Sequence, residues 1–135
     1  MEIGNVTLYK GDCENIVTYL LEDSIQMAVT SPLWCSENGV DMTKDTVKYC
    51  NYLVAKMKGL KRVLKQDGVV YLHIGNREGF NIPDAVKSAL KSNGWLVPRV
   101  IHWNDQRILM LAKQKDYYSN NLSFSDQWDV SFGLG

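Results

Sequence analysis

Ser31, Pro32 and Trp34 fall within "AVTSPLWCSENG", directly after the apolar run Ile25 to Val29. Their types bear on chemistry. A serine hydroxyl accepts hydrogen bonds, proline fixes its own φ and steadies the backbone around it, and an indole offers a face for stacking. A nucleic-acid base stacked on such a face gains ~1–3 kcal/mol. The same residues also read as an ordinary turn carrying a half-buried loop aromatic. Asp12, in "YKGDCEN", offers a carboxylate that can accept a hydrogen bond from an amino group, or cap a helix with no ligand involved. Cys35 adjoins the motif, but no neighbouring histidine or basic group in sequence supports a nucleophilic thiol.

The other reactive residue types read as structural. His73 lies inside an apolar run and is a satisfied core or edge histidine rather than a general base, and His102 sits on a late strand. Cys13, Cys35 and Cys50 are far apart, and with only two histidines beside them they give no zinc spacing. The expectation is no metal, and reduced thiols. In "KMKGLKRVLK", Lys56, Lys58, Lys61, Arg62 and Lys65 could grip phosphates. The simpler reading is the solvated face and C-terminal end of a helix, where positive charge suits the dipole.

The elements that must position these residues alternate in type. "NVTLY" (Asn5 to Tyr9) predicts a short strand. Asp12 then caps a helix over Glu14 to Leu21, with Ile16, Leu20 and Leu21 as its apolar stripe. "IQMAV" (Ile25 to Val29) predicts a second strand. From Lys44 to Lys65, the residues Val47, Cys50, Leu53, Val54, Met57, Leu60 and Leu64 recur at helical spacing, and Asp67-Gly68 ends the helix. "VVYLHIG" (Val69 to Gly75) predicts a strand covered on both faces. Pro83 opens a helix with Ile82, Val86 and Leu90, closed by Asn93-Gly94. Trp95 to Trp103 and Arg107 to Lys113 are late strands, and the short connection between them predicts a hairpin. This order predicts an α/β fold with a Rossmann-like, mostly parallel sheet and an antiparallel edge hairpin. Ligands bind beyond the carboxyl ends of such strands, and Asp12, Ser31 to Trp34 and Gly75-Asn76 all follow predicted strand ends.

A chain of 135 residues with 45% hydrophobic and 22% charged residues is one globular domain, residues 1–135, large enough for a real core. Fifteen basic residues against fifteen acidic give no strong basic field, so contact with nucleic acid must be local. No apolar run reaches the ~20 residues that span a bilayer, and the N-terminus lacks signal-peptide regions, so no membrane and a cytoplasmic location are expected.

Read in order, "LYKGDCENIVTYLLEDSIQMAVTSPLW", "LKRVLKQDGVVYLHIGN", "GFNIPDAVKSALKSNGWLVPRVIHW" and "LMLAKQKDYY" resemble the amino-group DNA methyltransferases that use S-adenosylmethionine, in the permuted order with the catalytic motif first. The resemblance covers about Asn5 to Tyr118. It implies that a flipped base, cytosine N4 in preference to adenine N6, presents its exocyclic amine to the Ser31 hydroxyl and the Pro32 carbonyl while stacking on Trp34. Two acceptors on the amine free the nitrogen lone pair for attack on a methyl sulfonium. It also implies Asp12 as a contact to the cofactor, S-adenosylmethionine, with Gly133 and Gly135 near a glycine-rich turn.

The sequence departs from the family pattern in three places. Leu33 stands where the family has a second proline, and the Trp103 to Arg107 connection is short where a longer polar loop is usual. The glycine-rich "D-P-F-x-G-x-G" turn meets only "DVSFGLG", in which Asp129, Gly133 and Gly135 fit while Val130 and Ser131 do not. Most of the cofactor half is therefore expected to be missing, with a second chain or a homodimer completing the site. Two rival readings are a non-catalytic accessory module of the same fold, or a relic of one, and a methyltransferase acting on an amine in RNA or a small molecule.

Overall fold

The computed structural model describes residues 1–32, 46–75, 81–104 and 106–114. The chain opens with a small hairpin of β1 (Glu2–Ile3) and β2 (Val6–Thr7). Helix α1 (Cys13–Ile16) follows and tightens into a 3-10 turn over Val17–Tyr19. Next come β3 (Ile25–Thr30), α2 (Thr46–Val63), β4 (Leu64–Ile74), α3 (Ile82–Ser92), β5 (Leu96–Trp103) and β6 (Gln106–Ala112).

Four strands form one sheet in the order β3-β4-β6-β5. β3 and β4 pair in parallel, and β6 pairs antiparallel with both β4 and β5. Three strands thus run one way, and β6 runs against them between β4 and β5. The predicted hairpin is β5–β6, turning at Asn104, whose φ of 55° is the left-handed geometry that asparagine tolerates.

The helical periodicity of α2 puts Tyr49, Leu53 and Met57 on one buried face, and α3 contributes Ile82, Val86 and Leu90. Both pack on Val70, Leu72 and Ile74 of β4 and on Leu109 and Leu111 of β6. Each fully buried leucine adds ~1.5–3 kcal/mol relative to exposure. On the opposite face of the sheet Val69, Met110 and Ala112 are buried together, with Tyr71 and Leu96 against them. From Val69 onward β4 is therefore buried on both sides, which is why Val69 to Leu72 reads as an unbroken apolar run.

The structure differs from the sequence expectation at four element boundaries. The segment Asn5 to Tyr9 does not enter the main sheet. Gly4, at φ +59°, lets the chain turn back so that the Leu8 N–H donates to the Met1 carbonyl, and Val6, Leu8 and Tyr9 stay exposed. Local closure has won over distant pairing. The first helix is half the predicted length. The Arg62 guanidinium donates to the carbonyls of Val17 (2.9 Å) and Leu20 (2.8 Å), closing it at the 3-10 turn and leaving Leu21 outside the stripe, 78% exposed.

The long helix stops at Val63, and Leu64 already pairs with Ile25 in the sheet. The register then jumps to Met27 opposite Val69, so the residues between form a bulge. Gly68 sits in it, where a Cβ would come within 2.9 Å of the Gln26 carbonyl oxygen and 2.8 Å of Leu64. Asp67-Gly68 thus marks the bulge rather than a helix stop. Finally, Val47 is 71% exposed and Tyr49 takes the first buried position of α2.

Candidate active site

Pro32 has no N–H to donate to a strand ladder, and the parallel pairing of β3 ends at Thr30 opposite Leu72. The chain leaves the sheet at Ser31 and Pro32, at the carboxyl end of β3. A cavity of about 510 Å³ opens there between β3, α1 and α2. This volume lies within the ~300–1,000 Å³ common for small-molecule sites. Ala28, Leu53, Met57 and Leu60 give it an apolar floor, while Asp12, Ser31, Pro32 and Lys56 line it with polar groups. Two segments far apart in sequence, the start of α1 and the exit of β3, therefore share one pocket.

Asp12 is fixed from two sides. As the cap of α1 it accepts from the Glu14 N–H at 3.0 Å, and the Lys56 ammonium stands 3.7 Å from the same carboxylate oxygen. Lys56 also approaches Glu14 at 3.3 Å and lies 5.2 Å from the centre of the Tyr52 ring. Burial acts to lower the lysine pKa. The hydrogen bond and charge of Glu14, with smaller contributions from Tyr52 and Asp12, outweigh it and hold the ammonium above its ordinary value. Half of the Asp12 side chain, 53%, still faces solvent. The capping role and a ligand contact are compatible, because one carboxylate carries about four acceptor sites.

Ser31 is tied to the sheet. Its Oγ lies 2.8 Å from Nδ1 of His73 on β4, and the other ring nitrogen of His73 meets the side-chain oxygen of Gln106 on β6. The His73 ring also lies against Trp103 of β5, with ring centres 6.0 Å apart. Both nitrogens of His73 are thus engaged, on a central strand of the sheet.

Of the residues singled out in sequence, Asp12, Ser31 and Pro32 line the same cavity. Trp34, Cys35, Asn76, Asp129, Gly133 and Gly135 lie outside the described residues. Gly75 is buried just past β4. Lys61 and Arg62 are not simply solvated: Lys61 donates to the Gly94 carbonyl at 3.0 Å and stands over the Trp95 ring, and Arg62 caps the 3-10 turn. Sequence reasoning missed Lys56, Tyr52, His73 and Gln106 as neighbours of the site. Tyr52 and Lys56 are four apart, one turn of helix, so their pairing was readable; their approach to Asp12 depends on how α1 crosses α2. Among the described residues, no group of three or more His, Cys, Asp or Glu side chains is placed to hold a metal ion. Nor is any helix among them long and apolar enough to cross a membrane.

A pocket past a parallel strand end, with a Ser-Pro exit and an acidic residue across from it, is the ligand-site geometry of an open α/β sheet. A family model described as DNA methylase, the N6_N4_Mtase family, matches residues 25–128, and the chain belongs to that family. The Type II methyltransferase M.Cfr9I of Citrobacter freundii is 28% identical over an alignment covering 62% of this chain and 32% of that enzyme. Among solved structures, the cytosine-N4-specific PvuII DNA methyltransferase superposes with a TM-score of 0.66 at 15% identity, covering 79% of this chain and 49% of that one. A protein of Thermus thermophilus, provisionally assigned as a DNA modification methylase, gives 0.63 at 19% identity, covering 77% and 52%. That protein has also been solved complexed with S-adenosyl-L-methionine. At these identities the structural likeness is one of fold. The chain spans about a third of the length of M.Cfr9I and about half that of the two solved structures.

Proposed function

We propose that this chain is the target-binding part of a DNA amino-methyltransferase, and that it takes a flipped base, cytosine in preference to adenine, by its exocyclic amine. Serine at position 31, rather than aspartate or asparagine, is what favours cytosine N4. The Ser31 hydroxyl and the Pro32 carbonyl accept the two amine N–H groups, and Trp34 supplies the stacking face. The observation that carries this reading is that Asp12, Ser31 and Pro32 line the same cavity beyond β3.

S-adenosylmethionine, when bound, supplies an electrophilic methyl group on a sulfonium. The residues present fit such a group: the Asp12 carboxylate, half exposed beside Lys56, has acceptor sites for its amines, and Ala28, Leu53 and Met57 offer apolar surface. What the chain's own residues do is positional. They orient the amine, withdraw its hydrogens from competing partners and cover it from water, which is most of what a direct displacement requires. Gly133 and Gly135 are proposed as further cofactor contacts.

β3 pairs with β4 alone among the described residues, and Met27 and Val29 on it are 56% and 72% exposed. This supports a cofactor site completed by further polypeptide added at β3, whether a second chain or a second copy. The test is transfer of a radiolabelled methyl group from S-adenosylmethionine to DNA, followed by nucleoside analysis. The expected product is N4-methylcytosine, with Ser31→Ala lowering kcat about 10- to 100-fold, as loss of a hydrogen bond to a developing charge predicts. Methylation unchanged in both Ser31→Ala and Trp34→Ala would refute the assignment. So would a product in RNA or a free amine with none in DNA.

A further inference from the structure

His73 lies one strand away from the cavity and outside its lining, yet it bonds to the residue on which the reaction depends. We propose that His73, held by Gln106, is a positioning residue that makes the Ser31 hydroxyl a pure acceptor for the substrate amine and receives, through Ser31, the proton which methyl transfer releases. This rests on the reading of Ser31 given above and deepens it.

The direction of the hydrogen bonds carries the proposal. A neutral imidazole has one N–H and one lone pair. With the Gln106 amide oxygen toward Nε2 of His73, we assign the imidazole hydrogen to Nε2 and the lone pair to Nδ1. Nδ1 lies 2.8 Å from Oγ of Ser31, an ordinary hydrogen-bond distance, and can only accept there. The single hydrogen of the serine hydroxyl is therefore spent on His73, and what remains for the cavity is lone pairs. An unrestrained hydroxyl rotates, and for part of the time would offer its hydrogen to the very nitrogen whose lone pair must attack.

His73 is supported from two further strands. Its ring rests against Trp103, and the β5–β6 turn beneath it is locked by Arg107, whose Nη1 donates to the carbonyls of Asn104 (3.0 Å) and Gln106 (2.7 Å). His73 of β4 meets the hydroxyl directly, and residues of β5 and β6 stand behind His73. A bystander serine in a turn has no need of such a chain.

The proton count closes along the same line. When the amine nitrogen forms its bond to the methyl carbon, the carbon–sulfur bond breaks and the positive charge moves from sulfur to nitrogen. That nitrogen then gives a proton to Ser31 Oγ as the serine hydroxyl hydrogen passes to His73 Nδ1. The charge ends on an imidazolium whose Nε2–H is still accepted by Gln106, and water later removes the proton.

Two measurements test this, and the first needs no methyl transfer. Long-range ¹H–¹⁵N NMR of the imidazole in the full chain is expected to show the Nε2–H tautomer for His73, with the Nδ1 resonance moving in Ser31→Ala. The Nδ1–H tautomer, or an Nδ1 signal indifferent to Ser31→Ala, would overturn the proposal. The second is kinetic, on whichever assembly methylates DNA. His73→Phe is expected to lower kcat about 10- to 100-fold with KM for DNA little changed, and His73→Asn, whose Oδ1 can take the place of Nδ1, to regain most of the loss that orientation causes. Gln106→Leu is expected to lower kcat in the same direction by a smaller factor while leaving the fold intact. Equal kcat in His73→Phe and wild type, or no advantage of His73→Asn over His73→Phe, would overturn it. If no methyl transfer occurs at all, the enzymatic reading fails, and the tautomer measurement still decides how Ser31 is oriented.

Discussion

Lys56 illustrates how much of this site is held by residues that do no chemistry. Its ammonium ties the Asp12 and Glu14 carboxylates to α2 while its stem crosses the Tyr52 ring. Because the carboxylates are well exposed, the pairing is worth only ~0–1 kcal/mol. The lysine pKa is raised in the folded chain, so its contribution is complete below the ordinary lysine value and disappears as pH climbs through the folded one. Lys56→Met is accordingly expected to cost less than about 1 kcal/mol in urea unfolding at neutral pH. The difference from wild type should persist up to the ordinary lysine pKa and vanish only as pH climbs past it through the raised value of the folded chain. A difference that grows with pH would mean the ion pairs are not its source. Cysteine reactivity is a second check at this scale. Cys13 is exposed, whereas Cys50 is buried and burial pushes its thiol pKa up. In a Cys35→Ser background, one thiol should react promptly with a disulfide reagent at pH 8 and the other only on unfolding. At this scale the sequence was informative about residue types and poor about partners. Asp12 and Ser31 stood out because strand ends precede them. His73 looked structural because nothing in a linear chain says that a hydroxyl 42 positions away will meet its ring.

Glycines at element junctions carry a different kind of information, and two of them separate space from conformation. Gly68 lies in the β3–β4 bulge, where an added Cβ meets the Gln26 backbone and cannot push it aside. Gly59 lies within α2, where the Cβ would touch only Cγ2 of Val17, at 3.0 Å, on the crossing 3-10 turn. Alanine at 59 also gains helix propensity, worth ~0.8–1.0 kcal/mol over glycine. Gly68→Ala is therefore expected to destabilise by ~1–3 kcal/mol, and Gly59→Ala to fall within about 1 kcal/mol of wild type, since the two effects oppose. Urea midpoints of the two variants make the comparison directly, and a larger loss for Gly59→Ala would contradict the packing described. The elements themselves were largely readable: α2, α3, the strand at Val69 and the β5–β6 hairpin follow from periodicity and turn residues. Their ends were not. The helix-to-strand switch at Val63–Leu64 depends on Leu64 finding Ile25 across the sheet, a contact that no local window contains. The N-terminal strand failed for the mirror reason, since a turn at Gly4 offers Val6–Thr7 a nearer partner.

At the scale of the whole molecule, the described residues cover the sheet well where β4 and β6 lie and leave it open where β3 lies. Alternation in "IQMAV" tells which side chains share a face but not whether anything covers that face, so neither the open edge nor the exposure of Val29 could be foreseen. The proposed completion of the cofactor site at β3 makes Val29 decisive. At 72% exposure its replacement removes little buried surface, and Val29→Lys is expected to change unfolding by no more than about 0.5 kcal/mol. A lysine on an edge strand nevertheless opposes the docking of another strand. If further polypeptide adds there, the assembly that binds S-adenosylmethionine should gain stability with ligand, about 2.7 kcal/mol at a hundred times Kd. The Val29→Lys form should lose both that gain and the association itself, measured by calorimetry and sedimentation. Ligand binding of equal strength in the isolated chain and in Val29→Lys would show instead that Asp12 and its neighbours suffice, and that the edge of β3 is merely exposed.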